Sequence, residues 1–518
     1  MLCLSIGMNT LLLVLVFGQT CSVSVAAESR THSHTSKEYQ YKYDHLKTKI
    51  WGPGLNSKAQ LPSSYFYVEL YLSNGTRYPT SAGPLEVLLT PGDGGKFRGR
   101  SSVIDRKDGS YIVNYRPVMP VRDLSISVLL DGQHLGQSPF LLPGWIYQEN
   151  CNCPSDDTNA WLKALQCPES FDMLDEDLRP FSDLDMRKVE ADVYKRWPKR
   201  QGSGALMHYI VKDNRVYRKE VGTICGFKMF SDAILLSLAR KVKLPDVEFF
   251  INLGDWPLVK KSSTSPLPIF SWCGSDSTSD IILPTYDVTD STLKSLSQVS
   301  LDMFTVQGTD SPNWSQKIPK ALFRGRDSRK ERLELVKLAR RGNNSQLIDA
   351  GITAFFFFPK DEQLTSERIN FFDFFKYKYQ LNIDGTVAAY RFPYLMAADS
   401  LVLKQDSEYY EFFYKELQPW KHYVPVKRDL SDVVQQVKWA IDHDEEAEEI
   451  ARNGRTRTRE LVTPANIYCY YYKAFLKLSS LIKSKIEVQE GMEEAQHSDY
   501  FSHCQCQRSS SQRPGDEL

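Results

Sequence analysis

The sequence predicts a multidomain chain: an N-terminal immunoglobulin-like β-sandwich followed by an α/β domain built on parallel strands. Two observations carry this reading. Over residues 50–142 apolar residues alternate with polar ones at period two, the pattern of strands with one face inside a sandwich and one in water. Beyond a cysteine-marked boundary at Cys151, Cys153 and Cys167, amphipathic helical patterns alternate with short apolar runs, which is how buried parallel strands and their crossover helices read. At 518 residues the chain has room for two or three domains.

In the first region Phe66, Val68, Leu70 and Leu72 fall on one strand face, Tyr111, Val113 and Tyr115 on another, and Leu124, Ile126, Val128 and Leu130 on a third. Asn74-Gly75, Asp108-Gly109 and Asp131-Gly132 supply turns, since these pairs tolerate positive φ. No His, Cys or carboxylate cluster interrupts the alternation, so nothing here suggests catalysis.

In the second region residues 230–241 form an amphipathic helix, Leu244-Pro245-Asp246 stops it, and residues 247–253 are a strand. Residues 321–323, 379–383 and 401–404 are further strands, and the apolar run 354–358 is strand-sized. Residues 430–443 and 444–462 read as helices with solvated charge on their outer faces, and the aromatic stretch 468–475 as core packing.

The ends and the cysteines speak to compartment. Residues 11–17 (LLLVLVF) are followed by Val25-Ala26-Ala27, which together read as a signal peptide over 1–27. No later run approaches the roughly 20 apolar residues of a spanning helix, so no membrane insertion is expected. The terminal Gly515-Asp516-Glu517-Leu518 departs from the Lys/His-Asp-Glu-Leu retrieval signal only in its first residue, which predicts residence in the endoplasmic reticulum lumen, with some leakage, through the retrieval receptor. With Cys3 and Cys21 removed, eight cysteines remain, an even count suited to structural disulfides. The Cys-x-Cys pairs 151/153 and 504/506 lack zinc-site spacing. Asn74, Asn313 and Asn343 head glycosylation sequons. Lysine plus arginine and aspartate plus glutamate stand at 64 each, which argues against a nucleic-acid or anionic-membrane partner.

Chemistry is expected at the carboxyl ends of the parallel strands, where open α/β sheets hold ligands. Asp255 follows one such strand and precedes Trp256-Pro257. It is either a turn former satisfying nearby backbone N–H groups or a general base taking a proton from an incoming hydroxyl. In Phe323-Arg324-Gly325-Arg326-Asp327-Ser328-Arg329-Lys330-Glu331-Arg332 four arginines and a lysine crowd a helix start. They either grip an anion or spread into solvent and pair with Glu331 and Glu334. Asp384-Gly385-Thr386-Val387-Ala388-Ala389-Tyr390-Arg391 repeats the strand, turn and helix-start order with small residues that let a ligand approach. No carboxylate pair follows a strand to hold a metal, Asp183-Leu184-Asp185 reading as surface charge, and Gly-x-Gly-x-x-Gly, P-loop and Gly-x-Ser-x-Gly motifs are missing. A diphosphate held by arginines and facing one carboxylate fits a two-domain nucleotide-sugar transferase that needs no metal or other cofactor.

These residues bring a family into view. Gly52-Pro53-Gly54-Leu55, Asp108-Gly109-Ser110-Tyr111 and Gln137-Ser138-Pro139-Phe140 resemble a filamin repeat. Asn252-Leu253-Gly254-Asp255-Trp256-Pro257, Phe270-Ser271-Trp272-Cys273-Gly274, the run 323–332, FFDFFKYKY over 371–379, the run 386–391 and Pro419-Trp420-Lys421-His422-Tyr423 resemble the protein O-glucosyltransferases, a Rumi- and CAP10-like family, in its filamin-bearing, KDEL-motif branch. The resemblance implies a filamin-type repeat over 45–148, a GT-B type transferase of two Rossmann-like halves over 149–485, and a flexible tail over 486–518. It also implies metal-independent, inverting transfer of glucose from UDP-glucose to a serine in epidermal-growth-factor-like (EGF) repeats of proteins such as Notch receptors and fibrillins, at the motif Cys-x-Asn-Thr-x-Gly-Ser-Phe-x-Cys. By position the base falls on Asp255, and the UDP-sugar contacts on Arg326, Arg332, Thr386, Val387, Ala388, Ala389, Tyr390 and Arg391. Trp256, Phe270, Ser271 and Trp272 fall on the acceptor side. One departure stands out: related enzymes bound an acceptor loop with cysteines where this chain has only Cys225. UDP-xylose is the alternative donor, and a non-catalytic lumenal binding protein or chaperone the alternative from another class.

Overall fold

The structure, a computed structural model, describes residues 42–198, 204–223, 225–294, 303–308, 311–496, 504 and 506; the expected signal peptide over 1–27 and the Gly-Asp-Glu-Leu terminus lie outside them. The sandwich consists of β1 (Lys49–Trp51), β2 (Ser64–Glu69), β3 (Glu86–Thr90), β4 (Gly99–Asp105), β5 (Ser110–Pro117), β6 (Val121–Leu130), β7 (Gln133–His134) and β8 (Phe140–Ile146). One antiparallel sheet runs β1-β2-β5-β4; in the other β6 pairs with β3, β7 and β8. Asp131 and Gly132 both take positive φ, 51° and 74°, the requirement of a two-residue turn matched to strand twist. Gly54 must be glycine, because a Cβ there would sit 2.7 Å from the Tyr65 backbone.

The expectation of one wet face holds for β6, where Leu124, Ile126, Val128 and Leu130 are buried in alternation. It fails for β2 and β5. Phe66, Val68, Tyr111, Val113 and Tyr115 fill the sandwich core, while Tyr65, Tyr67 and Ile112, on the opposite face, are buried in the core of the α/β domain. That second face is dry because a neighbouring domain covers it. Leu72 lies beyond the end of β2.

After the sandwich, α1 (Thr158–Ala164), α2 (Asp172–Leu178) and α3 (Met186–Arg196) lead into β9 (Ala205–Lys212) and β10 (Arg215–Gly222), a hairpin. Then come α4 (Lys228–Lys241), β11 (Val247–Asn252), β12 (Ile269–Ser271), β13 (Gly274–Ser275) and β14 (Ile281–Ile282). These strands form a sheet in the order β14-β12-β11-β9-β10, with β13 outside it. Only β11, β12 and β14 run parallel; β9 is antiparallel to both its neighbours. The first half is therefore a mixed sheet and not the Rossmann-like unit expected, because the β9–β10 hairpin takes the place of a crossover.

The helices α5 (Tyr286–Lys294) and α6 (Met303–Gln307) precede β15 (Ile318–Arg326), α7 (Lys330–Ala339), β16 (Ile348–Ala354), β17 (Tyr377–Asn382), α8 (Phe392–Ala397), β18 (Leu401–Gln405), β19 (Tyr409–Tyr410) and β20 (Val424–Val426). The sheet β16-β15-β17-β18-β20 is wholly parallel. Its order, 2-1-3-4-5 in chain sequence, is doubly wound, and its direction of winding switches between β15 and β17. The run 354–358 is not a strand: β16 ends at Ala354, and Phe356 and Phe357 stand 61% and 49% exposed.

α9 (Val433–Asp442) and α10 (Asp444–Leu461) cover the second sheet. α11 (Pro464–Leu481) returns to the first half, where Phe475 stacks on Phe249 at 4.9 Å and Tyr470 donates to the Ile282 carbonyl at 2.9 Å. The aromatic stretch expected in the core lies on this helix, and β13 pairs with β19 to clasp the two halves.

The segment expected as a flexible tail is anchored along its described part. β21 (Glu493–Glu494) adds to β10, and two bridges, Cys151–Cys504 and Cys153–Cys506, tie it back to the domain boundary. The two Cys-x-Cys spacings match, so the pairs bridge side by side. Cys167 bridges to Cys469, whereas Cys273 is a buried thiol despite the even count. Among the described residues no helix is long and apolar enough to cross a membrane.

Candidate active site

β11 is buried along its whole length and ends at Asn252. The turn that follows is closed by the Asn252 side chain: Nδ2 donates to the Trp256 carbonyl at 2.7 Å and to Ser271 Oγ at 3.1 Å, and Oδ1 accepts the Gly254 N–H at 2.9 Å. Asp280 secures the far side, accepting the N–H groups of Leu258 and Val259 at 2.8 Å and the Ser271 hydroxyl at 2.7 Å. The turn-forming role that the sequence left open for Asp255 thus belongs to Asn252.

Asp255 sits on the crest of this turn, half-buried, its carboxylate without a hydrogen bond to any described residue. Burial raises its pKa above the ordinary value of 3.8, and the Arg326 guanidinium pulls part of the way back. The Cys273 thiol donates to the Asp255 carbonyl at 3.3 Å, and the rings of Tyr286 and Tyr390 meet edge to face at 5.5 Å beside it. A carboxylate held this way is poised to accept a proton.

The opposing wall is the switch point of the second sheet, the place where a doubly wound fold opens a crevice. A Cβ on Gly325 would come within 3.2 Å of Arg332 Nη1 and 3.5 Å of Arg391 Nη2, so two guanidiniums converge where β15 ends. Arg332 is 4% exposed and braces the crevice floor, donating to the carbonyls of Asp384 at 2.7 Å, Ile383 at 2.9 Å and Arg326 at 3.1 Å. Burial, with Arg391 nearby, lowers its pKa to about 9; burial and Arg326 lower that of Arg391 to about 10. Among the described residues Arg326, Arg332 and Arg391 have no carboxylate within ion-pair distance, while Arg324 pairs with Asp349 at 2.7 Å and Arg329 with Asp384 at 3.7 Å. The alternative pairing with Glu331 and Glu334 does not occur; Glu334 bonds Lys337. Along the loop after β17, the backbone N–H groups of Thr386, Val387, Ala388, Ala389, Tyr390 and Arg391 meet no acceptor among the described residues. Cations short of counter-charge beside free backbone N–H groups form an anion cradle.

The model of glycosyl transferase family 90 matches residues 162–513, and that of the filamin/ABP280 repeat residues 42–141. The chain belongs to glycosyl transferase family 90. Protein O-glucosyltransferase 2 of Danio rerio is 49% identical over 470 residues, covering 89% of this chain and 93% of its own. Protein O-glucosyltransferase 3 of Homo sapiens is 47% identical over 475 residues, covering 89% and 92%. Protein O-glucosyltransferase 1 of Homo sapiens is 29% identical over 341 residues, covering 62% and 82%.

In this family 90 enzyme three of the four expected acceptor residues are buried. Phe270 is fully buried against Phe249 and Phe475, and Ser271 fastens the turn through Asn252 and Asp280, so neither lines an open cleft. Trp272 is also buried, packed on Tyr286 at 6.0 Å, with an indole N–H that meets no acceptor among the described residues. Trp256 alone of the four is exposed, at 43%.

The sequence reading missed Asp327 and Phe356. Asp327 is fully buried and its carboxylate takes three consecutive N–H groups, of Phe356, Phe357 and Phe358, at 2.7–2.9 Å. This clamp sets the Phe356 ring under the Arg326 guanidinium, 5.7 Å away. An aspartate directly after a strand-end arginine was the available signal.

Proposed function

We propose that this enzyme transfers glucose from UDP-glucose to a serine hydroxyl of EGF-like repeats, with inversion at the sugar carbon. The observation that supports it most is the pairing of an unengaged Asp255 carboxylate with a crevice whose arginines lack counter-charge. Serine oxygen attacks the anomeric carbon, its proton passes to Asp255, and the bond from that carbon to the diphosphate breaks on the opposite face. One displacement of this kind inverts the centre. Arg326, Arg391 and the free N–H groups of the 386–391 loop take up the charge on the departing UDP, while Arg332 holds the two strand ends at the right separation. Phe356 borders the nucleotide beside Arg326, and Trp256 meets the acceptor. These groups supply the charge stabilisation without a metal. The printed names of the relatives support a protein acceptor and glucose as the sugar.

The setting we propose is the lumen of the endoplasmic reticulum, where EGF-like repeats acquire their disulfides. Three disulfides among the described residues and three exposed sequon asparagines, Asn74, Asn313 and Asn343, suit that compartment. Incubating the purified protein with a folded repeat and either UDP-glucose or UDP-xylose, and weighing the glycopeptides, tests the reading. A hexose on the serine is expected; a pentose formed faster, or no addition from either donor, contradicts it.

A further inference from the structure

Where the sandwich meets the transferase, two cavities of about 280 and 200 Å³ lie back to back, with Arg106, Asp108 and Arg459 as their shared wall. None of their lining residues belongs to the Asp255 crevice. Arg106 and Asp108 come from the turn between β4 and β5, and Arg459 from the last turn of α10, so the wall is made by both domains. Arg459 is 8% exposed and bonds Asp108 at 3.3 Å. Arg77 reaches the same carboxylate at 3.6 Å, and Arg106 and Arg455 also act on it or on each other.

Two guanidiniums, of Arg77 and Arg459, thus pair with the Asp108 carboxylate, and those of Arg106 and Arg455 lie near it. The other acids lining the cavities are Asp399, held by Lys317 at 3.0 Å, Glu460, held by Arg457 at 3.0 Å, Glu69, which accepts from the Tyr71 hydroxyl at 3.2 Å, and Glu448 at the rim of the smaller one. Arg106 Nε is buried and has no acceptor among the described residues. Burial lowers the pKa of Arg106 and Arg459; for Arg459 the guanidiniums of Arg106 and Arg455 push the same way, while for Arg106 Tyr67 and Asp108 pull part of the way back. A buried guanidinium N–H left without an acceptor is costly unless a ligand shares the space. The larger cavity adds an aromatic wall: the Tyr67 ring lies 4.9 Å under Arg106 and 4.6 Å from the ring of Trp51, which is 43% exposed. Convergent cations, an aromatic face and a position between domains are the usual ingredients of a small-molecule site.

We infer that this seam is a second ligand site, which binds the phosphate oxygens of a small molecule through Arg77, Arg106, Arg455 and Arg459 and so ties the sandwich to the transferase. Free phosphate compounds and nucleotides share that chemistry. Thermal unfolding of the full chain distinguishes them, with inorganic pyrophosphate and UMP as probes against sodium chloride of equal ionic strength. Pyrophosphate is expected to raise the Tm of the wild type and of Arg326→Gln alike. In the double variant Arg77→Gln/Arg106→Gln, at least tenfold more pyrophosphate should be needed for the same rise, and Arg455→Gln should shift in the same direction if the double variant does not fold. A rise with UMP at lower concentration, lost in Trp51→Ala, identifies a nucleotide; a rise with pyrophosphate alone identifies a free phosphate compound. The inference is overturned if no rise occurs, if Arg326→Gln abolishes it, or if the seam variants respond like the wild type.

Discussion

Asn252 donates its side-chain amide to the Trp256 carbonyl at 2.7 Å, spanning the three residues between them, and this bond holds Asp255 up on its turn while leaving its carboxylate uncommitted. Positioning of this kind is worth a great deal in catalysis, since a shift of about 1 Å can cost roughly a hundredfold. Asn252→Ala should therefore lower kcat by about ten- to a hundredfold and leave UDP affinity, read by calorimetry, within about twofold of wild type. A variant with normal kcat would show that the turn holds itself.

The pH profile reports on Asp255 through Arg326. A general base works only when deprotonated, so activity falls as pH drops through its pKa. Burial has already raised that pKa above 3.8, and Arg326 is the cation that restrains it. Removing the cation in Arg326→Gln should move the acid limb of kcat/KM to higher pH and also raise the donor KM by about ten- to a hundredfold, the loss expected for charge-assisted contacts to phosphate. An acid limb that stays in place would separate Arg326 from Asp255.

Glu411 carries a different pH dependence. It is fully buried, with Oε1 accepting from the Tyr414 hydroxyl at 3.1 Å and Oε2 meeting no partner among the described residues, and burial raises its pKa from 4.5 to about 8. The folded protein keeps this proton up to about pH 8, whereas the unfolded chain releases it near 4.5. Its contribution to stability is complete below the unfolded value and is lost as pH rises through that window. Glu411→Gln, which is neutral throughout, should gain stability relative to wild type by roughly 1 kcal/mol per pH unit across it. Urea midpoints at pH 5, 6, 7 and 8 check this; a constant difference between the two proteins contradicts it.

The sandwich and the transferase should unfold together. Tyr65 packs on Phe304 at 5.0 Å, and Trp161 of the transferase donates to the Gln60 carbonyl at 3.2 Å. Calorimetry of the full chain should give one transition, and Tyr65→Ala should lower its stability by about 3 kcal/mol. Two separated transitions would mean the domains are merely tethered.

That coupling also shows where sequence reasoning stops. The period-two pattern located the sandwich strands and said which residues face inward, because alternation is a property of each strand alone. Whether the other face meets water depends on a neighbour hundreds of residues away, and Tyr65 looks like an ordinary sandwich residue until Phe304 of α6 and Ala465 at the start of α11 are seen to meet it. The parallel strands of both halves were legible as apolar runs, and their carboxyl ends led to Asp255 in the first and to Arg326 and the 386–391 loop in the second. Phe270 and Ser271 fall on the acceptor side only by resemblance of position, and it takes the burial of Phe270 and the bond from Ser271 to Asp280 to show one as core and the other as a fastening. The Asp327 clamp joins residues 29 to 31 positions apart and has no periodicity to betray it.

The central claim is that Asp255 removes the acceptor proton. Single-turnover transfer from UDP-glucose to a folded EGF-like repeat by Asp255→Asn, with UDP binding measured on the same preparation, tests it most directly. Asparagine keeps the shape and loses the base, so transfer should fall by at least about a hundredfold while UDP affinity stays within about threefold. An Asp255→Asn protein that transfers glucose at the wild-type rate would contradict the account.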